Sequence, residues 1–587
     1  MSVLAVLLVS CANRGVGPQG GPIDSIPPIP VKEWPTNGML NFMPKDKKIE
    51  ITFDEYIQLD DVSKNVLISP PQQRPPEVKV FGKKVTLIFD APLQDSTTYT
   101  IDFGNAICDY HEKVPLQGYS LSFSTCNWID SLEVCGYLVN AEDLNPVSGI
   151  VVGIQRQLED SAFETLPFTR VTKTNEMGWF QVKNVAAASY RLYALNDVSR
   201  DYVYQPGEDL AFLDTTITIH PMDSTQVDST IHVLWYFKEN KRRSYFQRCY
   251  REQAHVFRLQ FSAPQDTLPI IRSLRPSDLD STKSDSTWVD WMNYALIQPS
   301  LKGDTIMVWL TDSAAISQDS ILIEMRYMKS DSLYELFWQT DTIRAIYRAP
   351  RISDKAKAKM EKKKSVLTYK SNGKKGFDIY NPLTITFETP IHSLNEQGIS
   401  LWQKIDTVYH PLPLSIHPLD SFYMTYVIEY AWEAEGLYEC RIDSAAFADV
   451  YGTVNEASKI QMKVKSMDEY STLRIKLVQY TEHVRVQLLD EKDVVLKEIA
   501  MQEDGAFFEY LSPKSYYVRM YIDANEDGQW TTGDWLTKRQ PEPVYYFPSK
   551  LTLRANWDFE EEFDYLALPQ LDSKPHELLQ DASAKKK

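Results

Sequence analysis

The chain has 587 residues, enough for about four domains of ordinary size or a larger number of small ones. Its formal net charge is −18 with a pI near 5.1, and so acidic a surface repels phosphate backbones, which excludes nucleic acid as a partner. Hydrophobic residues make up 43% and aromatics 12%, which places the chain among folded proteins and suits strands whose rings pack on a pleated face.

The N-terminus opens on an apolar run from Val3 to Val9. It is too short to cross a bilayer as a helix but long enough for the apolar part of a signal peptide. Leu8-Val9-Ser10-Cys11 follows and resembles the bacterial lipobox. That resemblance implies cleavage before Cys11 and a diacylglycerol on its thiol, with residues 1–10 as signal peptide and 11–25 as tether. The alternative is a buried apolar strand followed by an ordinary cysteine. No Lys or Arg precedes Cys11, and the first base is Arg14; the positive region of such a signal is expected upstream of Met1. The tether contains Gly15-Val16-Gly17-Pro18-Gln19-Gly20, a GxGxxG spacing. A dinucleotide site needs a strand before this motif and a helix after it, and Pro18 with the Gly-Pro residues around it denies both.

From residue 26 the pattern has period two. Ile49, Ile51 and Phe53 share one face, and Val85, Leu87 and Phe89 another. Tyr99, Ile101 and Phe103 follow, then Tyr119, Leu121 and Phe123. Short alternating runs between turn residues predict an antiparallel sandwich. The segments KKIEITFDEYIQLDD, VKVFGKKVTLIFDAPLQDSTTYTIDFGNAICD and YSLSFST resemble the bacterial Ig-like domain of the S-layer SbsA type over residues 26–126. The resemblance implies a spacer or adhesion module without catalytic residues.

Residues 133–222 carry EVCGYLVNAEDLNPVSGIVVGIQ and NEMGWFQVKNVAAASYRLYALND. They resemble the transthyretin-like, carboxypeptidase regulatory-like module, the non-catalytic appendage of those enzymes. Residues 228–348 read as a further β-sandwich and 349–376 as a basic linker around Lys362-Lys363-Lys364. Residues 377–466 read as an Ig-like sandwich, 468–566 as a second transthyretin-like module, and 567–587 as a disordered tail. The expected fold is therefore all-β, a tandem, elongated array of antiparallel sandwiches.

The last module repeats the second. Gly505, Phe507 and Tyr516 parallel Gly178, Phe180 and Tyr190, and Asp197 and Asp523 each lie seven residues beyond the tyrosine. Both acidic loops have calcium-loop spacing. Asp523, Asn525, Asp527, the Gln529 carbonyl and Asp534 offer oxygens at the positions a structural Ca²⁺ needs, with Gly528 at the sharp turn. Asp197, Ser199, Asp201 and Glu208 form the weaker set, because Tyr202 stands where glycine is expected. The alternative for both is a polar turn in which carboxylates cap backbone amides. No other cofactor is expected.

Six cysteines are present. With Cys11 lipidated, five remain, so at least one thiol is free or pairs with another chain, and an exported chain permits a bond such as Cys108–Cys126. HExxH, GxSxG and P-loop motifs are absent, so an enzyme is not expected. The reading is a non-catalytic lipoprotein, bound to the membrane by its lipid and acting as scaffold or protein-interaction module at the outer membrane. The side it faces is left open, and an envelope protein is the expected partner. The whole resembles envelope lipoproteins of the Bacteroidetes type. The alternative is a carbohydrate-binding surface lipoprotein using Trp288 and Trp291 as an aromatic platform.

Overall fold

The computed structural model describes residues 25–579 apart from 44–46, 221–230, 241–242, 281, 283–289, 332–333 and 349–365. The described chain is all-β, built of antiparallel sheets in tandem sandwiches. It divides into two compact units, one ending at Lys238 and the other spanning Glu239–Leu579.

The first unit holds two sandwiches. In the first, Lys48–Phe53 alternates between solvent and core because its apolar residues recur every second position. One sheet runs Pro30–Trp34, Lys48–Phe53, Lys84–Ile88, Glu77–Phe81, and the facing sheet runs Leu67–Ser69, Thr98–Asp102, Ser120–Ser124. Ile51, Leu87, Tyr99 and Phe123 close the core between them.

The second sandwich places Leu132–Asn140 between Trp179–Val185 and Ile231–Tyr236, the last strand running parallel. This module therefore runs past the expected end at 222 and takes a strand from the stretch read as the third sandwich, whose own first strand is Phe246–Gln253; a parallel partner from far along the chain leaves no local signal. Its other sheet runs Arg170–Lys173, Val151–Gln155, Ala188–Leu195, Leu210–Phe212. Half-buried and buried polar bonds tie the two sandwiches. The Asn184 carbonyl oxygen accepts from Thr100 (2.8 Å) and Ser122 (2.9 Å), and its amide donates to the Asp130 carbonyl (2.7 Å). Arg170, buried, donates to the Ser69 carbonyl and pairs with Asp130. Lost partners here would leave buried donors and acceptors unsatisfied, so the junction is specific as well as cohesive.

The second unit holds three sandwiches. The third module pairs Phe246–Gln253, Val256–Phe261, Thr305–Leu310 and Ala295–Pro299 in one sheet and Ile270–Ser273, Ser320–Ser330 and Leu336–Ile346 in the other. The fourth, residues 369–464, has the strand order of the first module, with an added hairpin strand Val408–Leu412. Tyr369–Ser371, inside the stretch read as linker, and Lys375–Phe377, across its end, are strands of this module. The fifth has the strand order of the second: Ser471–Leu477 lies between Ala506–Leu511 and the parallel strand Asp558–Phe563.

Residues 567–579 correct the expectation of a disordered tail. Lys574 is buried and pairs with Asp493 at 2.7 Å, Ser573 accepts from the Tyr546 backbone, and Leu578 is buried. A polar sequence packs here because its one buried cation finds a buried carboxylate. Residues 580–587 lie outside the described residues.

Candidate functional site

The two acidic loops follow equivalent strands, Ala188–Leu195 and Ser515–Ile522, and share one hydrogen-bond plan. Asp197 accepts the backbone N–H of Asp201 on Oδ1 (3.3 Å) and of Tyr202 on Oδ2 (2.9 Å). Asp523 accepts Asp527 on Oδ1 (3.1 Å) and Gly528 on Oδ2 (2.8 Å). Asp201 then accepts from Val203, and Asp527 from Gln529 (2.7 Å). Ser199 donates to Asp197, while Asn525 accepts from the Asp527 amide and donates to Asp527 and Thr531. Gly528 adopts φ 76°, and Tyr202 adopts φ 60° although it carries a Cβ. The loop lacking glycine therefore takes the same left-handed turn, at a backbone cost of about 1–2 kcal/mol.

The acidic residue that closes each loop is where the sequence alignment fails. Glu208 accepts from the amides of Val198 (3.2 Å) and Gln205 (3.0 Å). Its counterpart is Glu542, which accepts from Ala524 (2.8 Å) and Thr531 (2.9 Å). The strands confirm the match, because Asn196 donates to the Asp209 carbonyl and Ile522 to the Pro543 carbonyl, one residue beyond each glutamate. Asp534, aligned with Glu208 by spacing, instead accepts from the Thr537 amide (2.9 Å) in a separate turn. A longer connection between Thr531 and Glu542 displaced the equivalent carboxylate along the chain, and fixed spacing could not find it. The downstream Pro-Glu-Pro at 541–543, just before the returning strand, is the signal that marks it.

Burial raises the Glu208 pKa, with Asp197 and Asp201 adding repulsion. Burial likewise raises that of Glu542, with Asp523 beside it. Each Asp523 oxygen keeps a second lone pair beyond its amide bond. Asp523, Asn525, Asp527, the Gln529 carbonyl and Glu542 are therefore the oxygens that could hold a cation. Among the described residues no three His, Cys, Asp or Glu side chains converge as a ready metal cage.

The rest of the repeat is confirmed with one correction. Tyr190 and Tyr516 are buried, and each hydroxyl donates to the carbonyl four residues back, Ala186 (3.0 Å) and Ser512 (2.9 Å). Gly178 and Gly505 both take positive φ. Phe180 is buried, but Phe507 faces solvent against Arg474, and Phe508 fills the core instead. A slip of one residue moves a strand side chain to the opposite face.

Other expected residues separate. Cys11 and Trp288 lie outside the described residues. Trp291 is buried, edge-on to Phe257 at 6.0 Å, and offers no platform. Cys108, Cys126, Cys135, Cys249 and Cys440 are all free thiols, so the Cys108–Cys126 bond is not formed. Cys108 donates to the Asn105 carbonyl, and Cys126 lies against Ser124. Burial pushes the Cys249 and Cys440 thiols up to about 12, which leaves them inert at neutral pH.

Two features of the second unit gave no sequence signal. A cleft of about 790 Å³ is lined by Tyr250, His255, Arg258, Trp309, Tyr347 and Tyr451 among others. On the fourth module, Glu439 is buried beneath Arg441, Lys459 and Gln461. Burial opposes its ionisation, but the hydrogen bonds from Arg441, Gln461 and Lys459 prevail and hold its pKa down to about 2. Arg441 stands two residues along the same strand, but Lys459 and Gln461 come from the neighbouring strand Ser458–Val464, which spacing along one strand cannot reveal.

Residues 24–125 match the bacterial Ig-like domain family. The first module is a bacterial Ig-like domain. No curated protein matches the chain. Among solved structures, the N-terminal part of the bacterial S-layer protein SbsC aligns with 33% of this chain at 12% identity and a TM-score of 0.16; the chain spans 49% of it. The major pilin subunit BcpA of Bacillus cereus aligns with 73% of this chain and 98% of its own, at 8% identity and a TM-score of 0.15. Native alpha-2-macroglobulin from Escherichia coli, over domains MG0-NIE-MG1, aligns with 49% of this chain and 93% of its own, at 10% identity and a TM-score of 0.16. Likeness at these scores carries no inference about activity or partners.

Proposed function

We propose that the chain is a non-catalytic lipoprotein of the bacterial envelope, held at the outer membrane through Cys11 and serving as scaffold or protein-interaction module. The observation that supports it is the reuse of two sandwich plans with filled cores, one of them a bacterial Ig-like domain. The second and fifth modules are, in this reading, transthyretin-like, and their acidic loops are structural. The carboxylates there are turned onto the loop's own amides, which suits shape better than turnover. A carbohydrate reading loses Trp291 to the core.

The test is fractionation of cells expressing wild type and Cys11→Ala with palmitate labelling, followed by cross-linking in intact cells. Wild type is expected in the membrane pellet with label, the variant in the soluble fraction. A labelled or membrane-bound Cys11→Ala protein removes the anchor. A purified chain that turns over an envelope polymer, with no cross-linked protein in cells, removes the scaffold.

A further inference from the structure

The first and fourth modules share one plan, and one end of that plan can be matched residue by residue. Phe53 donates to the Lys83 carbonyl as Phe387 does to that of Met424. Ile57 donates to the Gly82 carbonyl as Ile391 does to that of Tyr423, and Tyr110 to the Tyr56 carbonyl as Val450 does to that of Pro390. Asp109 and Asp449 each close the adjoining turn by accepting backbone amides, those of His111 and Val114 in one and of Tyr451 and Thr453 in the other. In the fourth module this end faces the module before it in the chain. The Tyr451 hydroxyl donates to the His255 carbonyl at 3.3 Å, and the two rings meet edge-on at 4.8 Å.

In the first module the same end is open, and it carries apolar side chains. Phe81 is 90% exposed, Tyr56 60%, Tyr110 59% and Ile29 53%. Printed contacts make them one cluster. The Asp54 carboxylate accepts the Ile29 amide (2.8 Å), and the Asp54 carbonyl accepts from Lys83 (2.5 Å). The Lys83 ammonium lies 5.7 Å from the centre of the Tyr56 ring, and a Cβ on Gly82, beside Phe81, would stand 3.6 Å from that ring. Tyr110 bonds the Tyr56 backbone. A lone exposed apolar side chain is ordinary, but several gathered on one loop cluster mark a contact surface. Phenylalanine and tyrosine beside a lysine are side chains that settle at a membrane boundary. The rings lie at headgroup depth with their polar tips in water, and the lysine stem carries its charge out to the phosphates.

We propose that this end of the first module rests on the lipid bilayer, with Phe81, Tyr56 and Tyr110 seated at the boundary between headgroups and acyl chains. The inference rests on the anchor proposed at Cys11. The repeat argues for lipid as the occupant. The corresponding end of the fourth module is covered by what precedes it in the chain, and what precedes Ile29 is, in that reading, a tether fixed to the membrane. Ile29 stands 18 residues after Cys11 (29 − 11), so the tether reaches at most about 65 Å. A contact linked in this way needs little affinity of its own. In a chain of net charge −18, contact with lipid falls to apolar surface, and this cluster supplies it. Seating it fixes how the first module stands on the membrane, which a tether alone leaves free.

The test is flotation of the purified, acyl-free Cys11→Ala chain with phosphatidylcholine vesicles. A few side chains bind more weakly than an acyl chain, so the contact should show at millimolar lipid and be lost at the lipid dilution of a cell fractionation. Phe81→Ser should lower the bound-to-free ratio about fivefold or more, with an unchanged far-ultraviolet spectrum. Leu301→Ser, in a hairpin turn of the third module where the side chain is fully exposed, should leave the ratio unchanged. A chain that stays in solution at millimolar lipid overturns the proposal and leaves the cluster to a protein partner. So does flotation insensitive to Phe81→Ser, or equally sensitive to Leu301→Ser. Palmitate labelling of wild type separates this contact from the anchor. Label on Cys11 without Phe81-dependent flotation overturns the contact and keeps the anchor; Phe81-dependent flotation without label keeps the contact and removes the anchor.

Discussion

Replacing Glu542 by alanine tests how the later acidic loop is held. Glu542 is buried and accepts two backbone amides, Ala524 and Thr531, at 2.8 and 2.9 Å. A hydrogen bond to a charged acceptor contributes about 1.5–3 kcal/mol, and the stranded donors add desolvation. Water can enter this loop, so the expected local loss is about 3 kcal/mol, or roughly a hundredfold in the opening equilibrium. Hydrogen–deuterium exchange of the full chain reads this directly, in peptides covering residues 515–531. Glu208→Ala should act alike on 188–205, because Glu208 also holds two amides. Asp534→Ala should cost less in 515–531, because its carboxylate serves the Thr537 amide instead. If Asp534→Ala deprotects 515–531 as strongly as Glu542→Ala, the assignment of Glu542 is wrong.

Calcium, if the loop takes it, must use the carboxylate beside Asp523: millimolar Ca²⁺ should raise the melting temperature of the full chain, and Glu542→Gln should remove that gain while Asp534→Asn preserves it. Identical wild-type melts with calcium and with chelator leave the loop a hydrogen-bonded turn. Glu439 titrates below its ordinary value, so its contribution is present above about pH 4.5 and is lost as pH falls toward about 2. The full shift corresponds to roughly 3 kcal/mol, and about half that after solvent screening at the sheet surface; Glu439→Gln should flatten this acid limb, and an unchanged acid profile refutes the role. Lys574→Ala leaves the Asp493 carboxylate with the Tyr546 hydroxyl but without its cation and should cost about 3 kcal/mol, exposing residues 567–579 to limited proteolysis; a digestion pattern like wild type would show that the pair does not hold the segment. Tyr190→Phe and Tyr516→Phe should each cost about 1 kcal/mol in urea unfolding, and a loss in one module alone would break the structural equivalence of the repeat.

By itself the sequence determined the strands and their inward faces. Ile49, Ile51 and Phe53 alternate because a pleated strand turns successive side chains to opposite faces, and that period is written along the chain. It also determined the repeat between the second and fifth modules, since Tyr190 and Tyr516 keep the same distance to the aspartates that open their loops. Only tertiary structure decided which carboxylate closes the later loop. Asp534 has the right spacing, but a longer connection carries Glu542 to the place beside Asp523. Tertiary structure likewise chose Phe508 over Phe507, sank Trp291, kept the thiols apart and paired Lys574 with Asp493. Each of these depends on what approaches from a distant strand, and local pattern carries no record of that.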